Sequence, residues 1–106
     1  MVEYNLPSRY ENVEFDCLAE SVLFKFRLHV FRGMMYASVY ADNDLVVGGQ
    51  RCVGNEWLIP SGLLVGMGNF RFEVNGDEYP WWENFGNGVR LVYYTASEIR
   101  EMKENG

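Results

Sequence analysis

The stretch VLFKFRLHVFRGMMYASVYA, residues 22–41, decides the fold. Apolar residues occupy every second position of 22–30, and residues 34–41 repeat the alternation with Tyr36, Ser38 and Tyr40 on one face. A period of two is typical of a strand with one buried face. Gly33 lies between the two halves and allows the backbone of a tight turn. The stretch therefore predicts an antiparallel hairpin.

The same alternation continues on both sides of this hairpin, with turn-forming residues between the runs. The further predicted strands are residues 2–6, 13–17, a run that starts at 45, 69–74 and 89–95. A turn is predicted at 42–44, a bulge at Gly48-Gly49, and a hairpin turn at Asn75-Gly76. Residues 56–66 contain Pro60, which lacks the N–H of a central strand, so an irregular buried crossing is predicted there.

Short strands closed by turns, without helices between them, indicate an all-β fold. We expect a small antiparallel β-sandwich or barrel that occupies residues 1–95 as a single domain. Residues 96–106 are rich in charge and predict a short helical tail at the C-terminus, too short to hold helicity alone. The length of 106 residues is that of one domain with one core.

Composition excludes several classes of partner. The net charge of −6 opposes binding to phosphate backbones and to anionic membranes, so we expect no stable nucleic-acid binding and no membrane association. The first residues lack the basic start and apolar run of a secretory signal, and no run reaches membrane-spanning length. A chain that is soluble and made in the cytoplasm is expected.

No catalytic or metal-binding constellation is recognisable. His29 is the only histidine and has no orienting partner nearby, and no serine lies in a GxSxG context. Cys17 and Cys52 are isolated, so two buried reduced thiols are expected. The acidic run at 42–44 lacks the spacing of a calcium loop, and the glycines at 66 and 68 indicate a flexible turn. We expect no enzymatic activity, no cofactor and no metal.

Aromatic residues crowd the segment from 79 to 85, which is bounded by glycine-rich turns. Adjacent tryptophans point in different directions, so one can fill the core while the other reaches outward. Three interpretations remain open: a lid on the sandwich, an anchor for a protein partner, or a stacking surface for sugar. The candidate interface residues in this segment are Tyr79, Trp81, Trp82 and Phe85.

A second candidate interface is a sheet face with polar-tipped side chains. The alternation predicts that Tyr36, Tyr40, Lys25 and Arg27 share this face, and we expect Arg90 to join them. Unpaired strand edges would offer further contacts to neighbouring chains.

The order of these motifs resembles the baseplate plug family of contractile-tailed bacteriophages, and the likeness runs from Val2 to about Thr95. Each motif is a simple strand or turn, and it is their order and spacing that carry the resemblance. The motifs are VEYNLP (2–7), FKFRL (24–28), FRG (31–33), YASVYAD (36–42), DLV (44–46) with Gly48, LL (63–64), GDEYP (76–80), NFG (84–86) and RLVYY (90–94).

The resemblance implies a structural virion protein without enzymatic activity. It would plug or line the central hub at the lower end of the tail tube, in the baseplate of the virion, after synthesis in the host cytoplasm. Its partners would be other phage tail proteins, namely hub, tail tube, spike or baseplate proteins, and it would form a homo-oligomer in the particle. The alternative is a carbohydrate-binding β-sandwich module that uses Tyr79, Trp81 and Trp82.

Overall fold

The computed structural model describes residues 1–6, 11–60, 67–76 and 79–105 and contains two antiparallel sheets. One sheet has four strands in the order β2-β3-β4-β5, and the other has three in the order β1-β7-β6. The strands are β1 (Val2–Tyr4), β2 (Val13–Ala19), β3 (Val22–Phe31), β4 (Met34–Ala41), β5 (Asp44–Arg51), β6 (Asn69–Glu73) and β7 (Arg90–Tyr94). A sandwich-like arrangement is therefore present rather than a closed barrel.

The four-stranded sheet is a meander whose strands follow one another along the chain. Its hairpins are closed by two-residue turns in which both residues have positive φ, the geometry that matches the twist of paired strands. These residues are Glu20 and Ser21, Arg32 and Gly33, and Asp42 and Asn43. Asp42 also accepts a hydrogen bond from the Leu23 N–H through its carboxylate at 3.1 Å. The predicted hairpin of residues 22–41 and the turn after it are confirmed.

The three-stranded sheet joins the two ends of the chain. β7 lies in the middle and pairs with β1 through Val2 and Tyr93, and with β6 through Phe70 and Tyr93. Asn75-Gly76 forms a bend and turn, yet β6 pairs with β7 and not with a strand directly after the turn. The predicted turn is present at Asn75-Gly76, but the tight hairpin that this signal indicates does not form, because the aromatic segment intervenes before the partner strand.

Two irregular segments occur where glycine and proline residues predict them. The register between β4 and β5 shifts around Gly48-Gly49, as predicted for a bulge. After β5 the chain runs beside β6, where Asn55 and Leu58 donate backbone hydrogen bonds to Phe72 and Phe70 at 2.7 and 2.9 Å. The predicted crossing is thus buried at Leu58 and Ile59, and its remainder at 61–66 lies outside the described residues.

The core is formed by aromatic side chains between the two sheets. Phe70 of β6 is fully buried and lies 4.9 Å, ring centroid to ring centroid, from Phe24, Phe26 and Tyr93. The rings of Phe24 and Phe26 meet it edge-on, a favourable arrangement for aromatic pairs. Residues of the predicted inward faces thus hold the sheets together.

The tail is helical from Ala96 to Asn105, as α1, which confirms the predicted helix. Thr95 and Glu98 form a capping box, in which the Thr95 N–H donates to the Glu98 carboxylate at 2.9 Å and the Glu98 N–H donates to the Thr95 hydroxyl at 3.2 Å. The N-terminal ammonium of Met1 also forms an ion pair with Glu98. These contacts tie the start of α1 to β1.

Gly68 is buried against the backbone of β7, so the prediction of a flexible turn was wrong at this residue. Its N–H donates to the Tyr93 hydroxyl at 2.9 Å, and that hydroxyl donates to the Glu20 carboxylate. The Tyr93 side chain therefore links the segment before β6 to the β2–β3 turn.

Substitution of Gly68 by alanine tests this close approach. A Cβ atom at Gly68 would lie 1.7 Å from the carbonyl oxygen of Tyr94, so Gly68→Ala is expected to destabilise the fold by about 1–3 kcal/mol or more. At Gly48 the nearest atom would be 3.6 Å away, and Gly48→Ala is the matched control with little loss. Urea unfolding measures both. Equal stability of the two variants would contradict the packing at Gly68.

Truncation of Phe70 tests the aromatic core. Phe70→Ala is expected to lower the free energy of unfolding by about 3–5 kcal/mol. Phe31→Ala makes the same chemical change at a side chain that is 58% exposed, and a change within about 0.5 kcal/mol is expected there. Thermal and urea unfolding of the two variants check this. The assignment of Phe70 as the central contact fails if both variants lose similar stability.

Candidate interaction surfaces

The outer face of the four-stranded sheet carries four of the predicted interface residues. Strand pairing places Lys25 beside Tyr40 and His29 beside Tyr36, with Arg27 between them. The rings of His29 and Tyr36 stack with centroids 5.6 Å apart. We call Lys25, Arg27, Tyr36 and Tyr40 the sheet face. The alternation of residues 22–41 was sufficient to bring them together.

The cations of the sheet face already have a counterion. The Arg27 Nε donates to the Glu14 carboxylate at 2.8 Å, and the Lys25 Nζ lies 3.5 Å from the same group. The hydrogen bond from Arg27, followed by the charges of both cations, holds the pKa of Glu14 below its usual range. The sheet face is thus polar and aromatic, and its two cations share one carboxylate, that of Glu14.

Arg90 does not belong to the sheet face, so that part of the prediction was wrong. It lies on β7 in the other sheet, where it contacts Glu3 at 2.8 Å and Glu73 at 2.7 Å. The alternation of β7 correctly predicts an exposed side chain, but it contains no information on which sheet the strand joins.

A second cluster on the three-stranded sheet was not predicted from the sequence. The Arg71 guanidinium lies between two aromatic rings, 5.0 Å from the centroid of Trp57 and 4.9 Å from that of Tyr94. Arg71 also binds Glu73 at 2.9 Å, and the Tyr94 hydroxyl donates to Glu73 at 2.6 Å. The spacing of Arg71 and Glu73 on one strand face was a readable signal, whereas the approach of Trp57 was not.

Glu73 is the central acid of this cluster. Burial raises its pKa, but hydrogen bonds from Tyr94 and Arg71 and the charges of Arg71 and Arg90 outweigh that effect. The net result is a pKa below the usual value for glutamate. The cluster therefore stabilises the folded state most when Glu73 is ionised.

The aromatic segment lies mostly against the core. Phe85 is only 6% exposed, Pro80 is buried, and Trp81 and Trp82 are half-buried and packed on the core. Tyr79 is the exception, with 58% of its surface exposed. Phe85 was predicted as an interface residue, yet in the isolated chain its ring is part of the interior.

The two tryptophans lie side by side, with ring centroids 6.1 Å apart. The prediction that one fills the core while the other reaches outward was wrong, because both pack against the core and both stay half-buried. The Trp81 indole N–H donates to Glu83 at 2.9 Å. The Trp82 indole N–H is buried without an acceptor among the described residues. The segment therefore covers part of the core, in keeping with the interpretation as a lid, and we call it the lid.

A cleft of about 250 Å³ opens between this lid and the β3–β4 turn. The Arg51 guanidinium borders it and lies 4.7 Å from the centroid of the Tyr79 ring. Gly33, Met34, Met35, Arg51, Cys52, Tyr79, Pro80 and Trp81 line the cleft. We call it the arginine–aromatic cleft. It combines apolar walls with one cationic group.

The two cysteine side chains are buried and protonated. Burial raises the pKa of both the Cys17 and Cys52 thiols to about 12, so neither is a thiolate at neutral pH. Both are free and buried, as predicted. Within the described ranges, no group of three or more metal-ligating side chains occurs and no helix is long and apolar enough to cross a membrane.

One comparison with known proteins gives a match. A family model described as cyanophage baseplate Pam3 plug gp18 matches residues 1–96. No curated protein matches the chain significantly. The matched span contains both sheets, the sheet face and the arginine–aromatic cleft.

The interactions of Glu73 with Arg71, Tyr94 and Arg90 predict that stability depends on pH. The folded-state pKa of Glu73 is below its ordinary value of 4.5, so its contribution is complete above that value and is lost as the pH falls through the folded-state pKa. Between about pH 5 and about pH 3 the wild type is expected to lose more stability than Glu73→Gln. Urea unfolding at each pH measures this, with Glu56→Gln as the exposed control. Parallel curves for the wild type and Glu73→Gln would contradict the role of Glu73.

Proposed function

The chain belongs to the family of phage baseplate plug proteins, and from this premise we propose that it plugs or lines the central hub at the lower end of the tail tube. The observation that carries the proposal is the family match over residues 1–96, which takes in both sheets. The protein is accordingly a structural component of the virion tail, synthesised in the host cytoplasm before assembly.

A plug must resist deformation, and the core described above suits that task. Aromatic rings fill the space between the sheets, and close-packed interiors of this kind have low compressibility. Tight two-residue turns connect the meander without long loops. The sandwich would therefore hold its shape while it contacts the surrounding tail proteins.

We propose that hub and tube proteins contact the sheet face and the lid. The sheet face offers tyrosine rings and two cations that share the Glu14 carboxylate, and such aromatic, polar-tipped side chains are typical of protein interfaces. β2 and β5 end the four-stranded sheet and add strand edges for neighbouring copies in a homo-oligomer. The edge of β6 is less suitable, because the segment with Asn55 and Leu58 already occupies it.

The net charge of −6 suits a protein close to the path of DNA. Acidic groups repel the phosphate backbone, so DNA passes without stable binding. The function proposed here requires neither an enzymatic activity nor a cofactor.

The alternative of a sugar-binding module finds less support in the geometry. A stacking platform needs open ring faces, but Arg51 covers one face of Tyr79. Trp81 and Trp82 are half-buried against the core and tilted by 47° to each other. These three rings do not form a flat exposed surface.

Quantitative peptide mass spectrometry of purified phage particles tests the proposed function. We expect the protein at a few copies per tail, scaled against the tail-tube protein of the same particles. Particles from a phage that lacks the gene provide the matched control, grown with and without complementation by the gene product. Particles grown without complementation should lose infectivity. Intact, infectious particles that lack the protein would refute the proposal.

A further inference from the structure

Arg51 borders the arginine–aromatic cleft, and Arg32 directly precedes Gly33, another residue of its lining. Arg51, and Arg32 in the β3–β4 turn, form no ion pair with a carboxylate of the described residues, whereas Arg27, Arg71 and Arg90 all do. Within the described part of the chain, the charge that lines the cleft is therefore positive, which favours an acidic ligand.

Both arginines rest on exposed aromatic rings. The Arg51 guanidinium lies 4.7 Å from the Tyr79 centroid, and that of Arg32 lies 5.2 Å from the Phe31 centroid. Tyr79 and Phe31 are each 58% exposed. Stacking on a ring holds a guanidinium in place. Its N–H edge can still form a bidentate hydrogen bond with a carboxylate. The stacking thus preorganises the guanidinium to bind a carboxylate.

The walls of the cleft favour an apolar group next to that carboxylate. Met34, Met35, Pro80 and Trp81 provide apolar surface, and Arg51 is the one charged residue of the described lining. The volume of about 250 Å³ is enough for one large side chain. Arginine, tyrosine and tryptophan residues around a small pocket are typical of the hot spots that contribute most of the binding energy in protein interfaces.

The cleft is also continuous with the sheet face. Arg51 pairs in register with Tyr36, a sheet-face residue on the neighbouring strand. A partner that covers the sheet face would therefore reach the cleft without crossing another element of the fold.

We propose that the arginine–aromatic cleft binds an acidic segment of a partner protein, with an aromatic or large aliphatic side chain in the cleft and a neighbouring carboxylate on Arg51. The inference rests on the proposed function, in that the partner is a tail protein in contact with the plug. A protein segment fits better than nucleic acid, because the apolar lining suits a side chain and the net charge of the chain opposes a phosphate backbone.

Nuclear magnetic resonance titration of the ¹⁵N-labelled full chain tests this. The probe is a blocked tripeptide, glutamate–phenylalanine–glutamate, and its twin has glutamine in place of both glutamates. The acidic peptide is expected to shift the signals of Met34, Arg51, Tyr79 and Trp81 in a saturable way, with an affinity about fivefold or more above that of the twin. The preference should weaken with added salt.

Two variants locate the charge. Arg51→Gln is expected to abolish the preference for the acidic peptide, and Arg90→Gln, which removes a cation on the other sheet already paired with Glu3 and Glu73, is expected to retain it. Thermal unfolding of each variant establishes that it is folded. Equal affinity for both peptides, absence of saturable shifts at the cleft, or an unchanged preference in folded Arg51→Gln would overturn the inference.

The outcomes separate this inference from the proposed function. If the protein is present in particles but the cleft fails the titration, only the assignment of the cleft falls. If the cleft binds the acidic peptide but the protein is absent from infectious particles, the baseplate role falls and the recognition site stands.

Discussion

The packing of Phe70 between the two sheets is the contact on which the rest of the structure depends. Phe24 and Phe26 approach it from β3, and Tyr93 approaches it from β7. Because β7 also holds β1 and β6, this one cluster fixes how the meander and the terminal sheet face each other. Side chains alternate between the two faces of a strand, so the packing of the inward residues also fixes the positions of the outward ones. These include the sheet face and the Arg71 cluster.

Elements with local pairing were predictable from the sequence. Residues 22–41 alternate strictly, and the turn at Arg32-Gly33 admits few other conformations, so sequence alone determines both register and outward face. Helix α1 was also predicted, and its cap at Thr95 was a readable signal in the TxxE pattern of residues 95–98. The two buried thiols followed from composition alone.

Elements with distant partners were not predictable in the same way. The partner of β6 is decided by packing across the aromatic segment, so Asn75-Gly76, a strong local signal, gave the wrong hairpin. The sheet that Arg90 joins and the ring that meets Arg71 depend on the same tertiary choice. Alternation shows which side chains share a face of one strand. It does not show which strands share a sheet.

The terminal sheet imposes an order on folding. The strands of the meander pair with sequence neighbours across two-residue turns, so each hairpin can form as soon as its second strand leaves the ribosome. β1 is synthesised first, yet its only strand partner in the described structure is β7, near the far end of the chain. The first strand of the fold must therefore wait for the last one, and the sandwich closes only after β7 has been synthesised.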